Sequence, residues 1–450
     1  MSVQVEPVVV QRWSLRPGVY RATAANGDLM LAAWPNAALL GRTSPELTAL
    51  LEELSGEPVA LPESPAVDGM RAGGWLSKVV FCAGRPLHTV VPIAPPAVVE
   101  PPVGGLRLSR FAVLRNTDDG LVVEKPGSWC DIRVHDPAVA ALLADPSGDA
   151  GLPAEAAAAV RADLIAAGML VAEEDTSFTE RQWGAHELWF HERSRLGHRG
   201  WFGAHFGGTF WARGHHAPPP ARPEPYAGEP ITLPKADIAA LRREDPPLTA
   251  VLEDRESVRD HDDDNPITLE RLGEFLHRCG RVRLERTLDG FEYTNKPYPA
   301  GGSAYELEIY PVVRLASGLD AGMYHYDAHD HRLRLVVPGE HQAVRRILKV
   351  ATESSVAKST PQVVLVISAR VGRIMWKYEA MGYALMLKHV GVLQQTMYAV
   401  ATAMNLAPCA LGSGDSLAFT AATGRDRLAE CAVGEFMLGS RRQEVAAWEL

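Results

Sequence analysis

Cysteine is scarce and scattered in this chain. Cys82, Cys130, Cys279, Cys409 and Cys431 stand far apart, and no two share a Cys-x-x-Cys spacing. That pattern excludes a zinc ribbon, and an odd set of separated thiols fits a reducing compartment better than a disulfide framework. Long hydrophobic runs are missing too: none reaches the roughly 18 residues that a membrane-spanning helix needs. A basic excess is also absent, since 45 Lys and Arg against 55 Asp and Glu leave a net charge of −10. A nucleic-acid backbone is therefore a poor partner. Met1 to Gln11 shows no basic segment leading into an apolar core, so no secretory signal is expected and the cytoplasm is the expected location. What is present is a chain of 450 residues, 46% hydrophobic, which is long enough for two or three domains.

Proline and glycine divide the chain. Residues 1–102 read as a small α+β module. In it, Val19 to Trp34 predicts two strands around the Asn26-Gly27 turn, and Ser44-Pro45 starts a helix to Leu54. Ile93 to Pro102 reads as a linker. Residues 103–178 predict a winged-helix-like module: a hairpin around Asn116 to Gly120, a helix from Asp136-Pro137, and another from Pro153 that stops at Gly168. Residues 179–230 read as an irregular connector rich in His, Arg, Trp, Gly and Pro. Residues 231–450 mix strands and helices without strict alternation, which predicts an α+β layered domain. There Val363 to Ser368 is a strand buried on both faces, and Lys377 to Leu406 keeps one helical pattern for about 30 residues.

Several motifs invite chemistry and lose it on inspection. His186 and His191 are five residues apart, about 140° around a helix, so they cannot share the single face of a zinc-protease motif. His325, His329 and His331 with Asp327 and Asp330 fall at the tip of a predicted hairpin and read as turn chemistry; no metal site is expected. Gly414-Asp415-Ser416-Leu417 has no Asp-x-x-His segment after it, which removes a serine nucleophile. His261 to Asp264 reads as a solvated loop. Gly301-Gly302 lacks the strand–GxGxxG–helix context of a dinucleotide fold.

One cluster stands out. Arg255, Ser257 and Arg259 put two guanidiniums and a hydroxyl within five residues, a donor set suited to a phosphate. Pro299-Ala300-Gly301-Gly302-Ser303, Lys377-Tyr378, Leu411-Gly412-Ser413-Gly414 and Gly439-Ser440-Arg441-Arg442 follow in order. That series resembles the nitroreductase-like flavoproteins, and in detail the SagB-type azoline dehydrogenases of peptide natural-product pathways.

The resemblance implies a C-terminal nitroreductase-like FMN domain completed across a homodimer interface. It implies that Arg255 and Ser257 bind the phosphate and ribityl region and that Arg259 reaches the pyrimidine edge. Pro299, Ala300, Gly301, Gly302 and Ser303 would form the loop over the flavin, with Ala300 where a serine is usual. Leu411 and Gly412 would lie beside the ring, and Arg441 or Arg442 would close on the phosphate. Lys377 and Tyr378 would be catalytic, because aromatising an azoline ring removes a proton from one carbon and a hydride from its neighbour. A precursor peptide and a cyclodehydratase are the implied partners, with the second module docking a leader peptide. The alternatives are an FMN oxidoreductase acting on another small substrate, or a flavin-free scaffold.

Overall fold

The computed structural model describes residues 9–33, 36–173, 177–195, 210–379 and 381–442. Residues 1–8, most of the stretch in which no secretory signal is expected, and 196–209 of the expected connector lie outside the described residues. The chain forms two compact units, residues 1–203 and 204–450.

The first unit opens with strands β1 (Val9–Leu15), β2 (Tyr20–Thr23), β3 (Asp28–Ala33) and β4 (Asn36–Arg42). Helices α1 (Pro45–Leu54) and α2 (Pro65–Ala72) follow, then β5 (Leu76–Cys82) and β6 (Arg85–Pro92). Next come β7 (Leu106–Leu108), β8 (Val113–Thr117), β9 (Gly120–Glu124) and β10 (Cys130–Val134). The unit ends with α3 (Pro137–Ala144), α4 (Ala154–Ala166), β11 (Leu170–Ala172), α5 (Phe178–Gln182) and α6 (Ala185–Arg193). Local chemistry sets the ends of these elements. Ser44 and Asp136 accept backbone N–H groups at the starts of α1 and α3, and Gly168, at φ +66°, follows α4.

The expected boundary at Pro102 does not separate two modules. β6 pairs with β10 across it, giving one six-stranded antiparallel sheet in the order β1-β5-β6-β10-β9-β8. The core follows the sheet, with Val80, Leu87 and Val90 packed among Val139, Leu142, Val160 and Leu164. The connector is not wholly irregular either. Helix α6, in the His186 to Arg195 stretch, packs on the sheet through the buried Glu124. That carboxylate accepts from Arg115 Nε at 2.6 Å and Trp189 Nε1 at 3.3 Å, and also from Arg193.

The second unit begins with β12 (Pro230–Thr232), α7 (Ile238–Glu244), α8 (Leu248–Glu253), α9 (Leu269–Gly280) and the hairpin β13 (Leu284–Leu288) to β14 (Phe291–Asn295). It continues with β15 (Leu307–Val313), β16 (Gly322–Asp327), β17 (Arg332–Pro338), α10 (Gln342–Ser355) and β18 (Val363–Arg370). Then come α11 (Val371–Met375), α12 (Gly382–Ala403), β19 (Leu406–Leu411), α13 (Ser416–Thr423) and β20 (Glu430–Ser440). Seven strands form one sheet, β12-β17-β16-β15-β18-β20-β19. Period-two alternation sends Val363, Leu365 and Ile367 of β18 into the core shared with α9 and α12. Val364 and Val366 point into the opposite core, with α10 and α13. The outcome is the layered α+β domain that the sequence predicts. Its first residues come earlier than 231, since Arg370 donates to the carbonyls of Pro220 and Ala221.

The long helix is shorter than its apolar pattern. It begins at Gly382, while Lys377 and Tyr378 lie in the turn between α11 and α12. Nor is His261 in a solvated loop. It is 1% exposed, its Nδ1 accepts the Gln362 N–H at 3.0 Å, and a Cβ on Gly439 would fall 2.3 Å from that ring atom. Burial holds the imidazole down at about 4. Among the described residues no helix is long and apolar enough to cross a membrane.

Candidate active site

The candidate residues, spread from Arg255 to Arg442 in the sequence, meet along helix α12. At its first turns, His389 Nε2 accepts the Gly301 N–H at 2.8 Å. The Pro299–Ser303 loop is a tight turn there, with Gly302 at φ +58° and Ser303 at φ +52°. A Cβ on Gly302 would stand 2.7 Å from Tyr378 Oη and 2.9 Å from Lys377 Nζ, so only glycine allows this approach. Lys377 Nζ donates to Gly302 O at 2.8 Å and lies 4.5 Å from the Tyr293 ring centroid and 5.4 Å from that of Phe291. A carbonyl acceptor and two ring faces are contacts made by an ammonium. Burial, with Tyr293 beside it, raises the Tyr378 phenol, which therefore stays protonated.

The turn is braced from beneath by Arg373, whose side chain is fully buried. It donates to Ala304 O at 2.8 Å, Glu292 O at 2.7 Å and Pro219 O at 2.8 Å, and it covers the Phe291 ring. Burial lowers this guanidinium to about 10, and Arg370 adds to the effect. One buried cation thus ties α11, β14 and the Pro299–Ser303 loop together.

Near the other end of α12, Tyr398 organises the arginine cluster. Its hydroxyl lies 2.7 Å from Ser257 Oγ and accepts the Ala410 N–H at 2.8 Å, while Arg255 sits 5.3 Å from its ring centroid. The Val258 N–H donates to Pro408 O at 2.8 Å, which docks the segment on β19, an outer strand of the sheet. Arg441 pairs with Glu256 in the same segment, and Arg442 Nε donates to His261 O at 3.1 Å. His389 and Tyr398 are nine residues apart, so the loop and the arginine cluster are separated by about 14 Å along the helix.

Between them lies the Leu411–Gly414 segment. Leu411 pairs with Glu435 of β20, whose carbonyl accepts from Gln394 of α12 at 3.1 Å. Gly412 faces open space, whereas Gly414 lies against the Glu435 carboxyl. Burial, with Asp415 adding to it, pushes that carboxyl up to about 7.

These residues suit FMN. Among the described residues Arg255 and Arg259 have no carboxylate partner, Ser257 supplies a hydroxyl, and Gly412 leaves room for close approach. Arg255 and Ser257 would hold the phosphate, with Arg441 or Arg442 closing on it and Arg259 left for the pyrimidine edge. Sequence reasoning missed Tyr398, His389, Arg373 and the Phe291–Tyr293 ring pair. None carries a motif, and each is recognisable only by what the fold puts beside it.

The model of the cyanobactin oxidase ThcOx matches residues 106–200, and that of the nitroreductase family matches residues 252–437. A protein of Methanocaldococcus jannaschii named as a nitroreductase is 30% identical over 186 residues, 41% of this chain and 86% of that protein. A nitroreductase-type structure from Anabaena variabilis is 20% identical with a TM-score of 0.39. The match covers 56% of this chain and 45% of that one. The Escherichia coli microcin synthetase complex McbBCD, solved with a truncated pro-peptide bound, includes a chain 17% identical with a TM-score of 0.35, over 46% of this chain and 83% of that one. The matched family domain makes the second unit an oxidoreductase domain of the FMN-dependent type. The chain belongs to the nitroreductase family, its family domain at residues 252–437 following a segment of the ThcOx type at residues 106–200.

Proposed function

We propose that the protein is an FMN-dependent dehydrogenase that oxidises azoline rings to azoles in a ribosomally made peptide. The observation that carries this reading is the placement of Lys377 and Tyr378 against the glycine loop, in a chain that also has a ThcOx-type segment. Bound FMN would supply the hydride acceptor. The side chains then have to manage one proton and orient one ring. Lys377 is the base that takes the ring proton, and the resulting ammonium is held by Gly302 O and the faces of Tyr293 and Phe291, the contacts seen in the structure. Tyr378, kept protonated by its surroundings, donates a hydrogen bond to the ring nitrogen.

A homodimer belongs to this proposal. Tyr383 and Leu387 are exposed on α12, with Gly391 and Gln395 continuing at the same spacing. That face would meet its copy, and the site would draw on both protomers. The first unit would dock the leader of the precursor peptide, and a cyclodehydratase would supply the azoline.

The test is anaerobic mixing of the FMN-loaded protein with an azoline peptide. Bleaching of the flavin together with a peptide mass loss of two hydrogens is expected. Bleaching by other small reductants alone would move the reading to a general FMN oxidoreductase. A protein that cannot be loaded with FMN would leave only the scaffold.

A further inference from the structure

The Gly301 N–H can only donate, so His389 Nε2, 2.8 Å away, must be unprotonated. The neutral ring then carries its proton on Nδ1, which lies 2.7 Å from Glu306 Oε1. Glu306 is fully buried, and its second oxygen has no hydrogen-bond partner among the described residues. A carboxylate in such a place needs compensation. The charges of Lys296 and Arg373 both act on it, and Lys296 is itself buried, with Nζ donating to Leu307 O at 3.1 Å. The ionised carboxylate fixes the tautomer, the tautomer fixes the acceptor, and the acceptor holds Gly301. The next residue, Gly302, presents the carbonyl that receives Lys377.

We propose that Glu306 and His389 are a positioning pair that sets the Pro299–Ser303 loop and, through Gly302, the place of Lys377. The inference rests on the function proposed above only for the consequence at Lys377; the hold on the loop stands without it. Neither residue touches the reacting atoms. Their effect runs from the sheet side, where Glu306 directly precedes β15, through α12 to the loop. Such a chain matters because a reacting group displaced by about 1 Å costs on the order of 10²-fold in rate.

Two readouts separate this role from general support of the fold. The first is amide hydrogen exchange of residues 299–303 in flavin-free protein, which needs neither cofactor nor turnover. The second is the rate of flavin reduction by an azoline peptide in loaded protein. His389→Leu removes the acceptor, so faster exchange in the loop and a loss of kcat on the order of 10²-fold with little change in KM are expected. His389→Gln offers an amide oxygen to Gly301, and recovery of both loop protection and most of the rate is expected. If His389→Leu does not fold, Glu306→Gln keeps the shape, removes the charge that fixes the tautomer, and should loosen the same loop. Wild-type exchange in the loop of the His389→Leu protein, or of the Glu306→Gln protein used in its place, overturns the positioning pair. So does a loosened loop with an unchanged rate. A variant that changes exchange as expected in a protein that never oxidises azolines would leave the pair standing and remove the proposed function.

Discussion

Lys377 Nζ and Gly302 O, 75 residues apart in the chain, are joined by a 2.8 Å hydrogen bond that couples the catalytic candidate to the loop expected over the flavin. Lys377→Ala should keep flavin and lose turnover by about 10²–10⁴-fold, the usual contribution of a general base. Lys377→Arg separates base from charge. An arginine keeps the cation over Tyr293 but cannot take a proton near neutrality, so the same loss is expected. Single-turnover flavin reduction is the measurement, and a near wild-type rate in either variant would remove Lys377 as the base.

Gly302→Ala strikes the same relationship from the other side. The new Cβ would occupy a left-handed conformation at φ +58° and stand within 3 Å of both Lys377 and Tyr378. A stability loss of about 1–2 kcal/mol is expected from the backbone alone. The larger effect should be kinetic, because both side chains must move. Thermal melting and flavin-reduction rates measured together check the two parts.

Arg255→Ala with Arg259→Ala should release FMN and leave the fold intact. Arg255 is exposed and Arg259 only partly buried, and each hydrogen bond to a charged group contributes about 1.5–3 kcal/mol. Weakening of FMN binding by on the order of 10²-fold or more is expected from a flavin-release titration. Unchanged binding would move the phosphate away from this cluster.

The sheet and its two cores are legible in the chain because alternation and the apolar run at Val363–Ser368 have one geometric solution. The motif clusters are legible too, since Arg-x-Ser-x-Arg and the Pro299 loop are local in sequence. Long-range compensation is not. The buried carboxylate of Glu306 looks like any surface acid until His389, 83 residues later, is packed on it. Lys377 reads as the first residue of a long helix because Ile374, Ala384 and Leu385 continue the apolar pattern through the turn. The boundary at Pro102 fails for a similar reason. Prolines mark where a chain leaves its strand, but nothing local says that β10 returns to pair with β6.

Glu435 gives a pH dependence with a definite sign. Its carboxyl is pushed up from 4.5 to about 7, so the folded protein binds this proton more tightly than the unfolded chain does. The stabilisation is complete below pH 4.5 and is lost as pH rises through about 7. Glu435→Gln, uncharged throughout, should match the wild type at low pH and exceed it above neutrality by up to about 3 kcal/mol. Denaturant midpoints of the two proteins between pH 5 and 8 test this, and parallel curves would show that the carboxyl is not strained by ionisation.

Residues 103–171, which carry the hairpin and both helices of the module expected at 103–178, should not fold alone. Cutting there removes β6 from β10 and strips Val80, Leu87 and Val90 from the core around α3 and α4. Leu142, Val160 and Leu164, now fully buried, would meet water, at about 1.5–3 kcal/mol for each side chain so exposed. A fragment of about 70 residues has no such reserve. Residues 1–203 keep the six-stranded sheet whole and should melt cooperatively. Circular dichroism melts of the two fragments decide the matter. A cooperative transition in 103–171 would restore the independent module, and its absence makes 1–203 the fragment with which leader-peptide binding has to be measured.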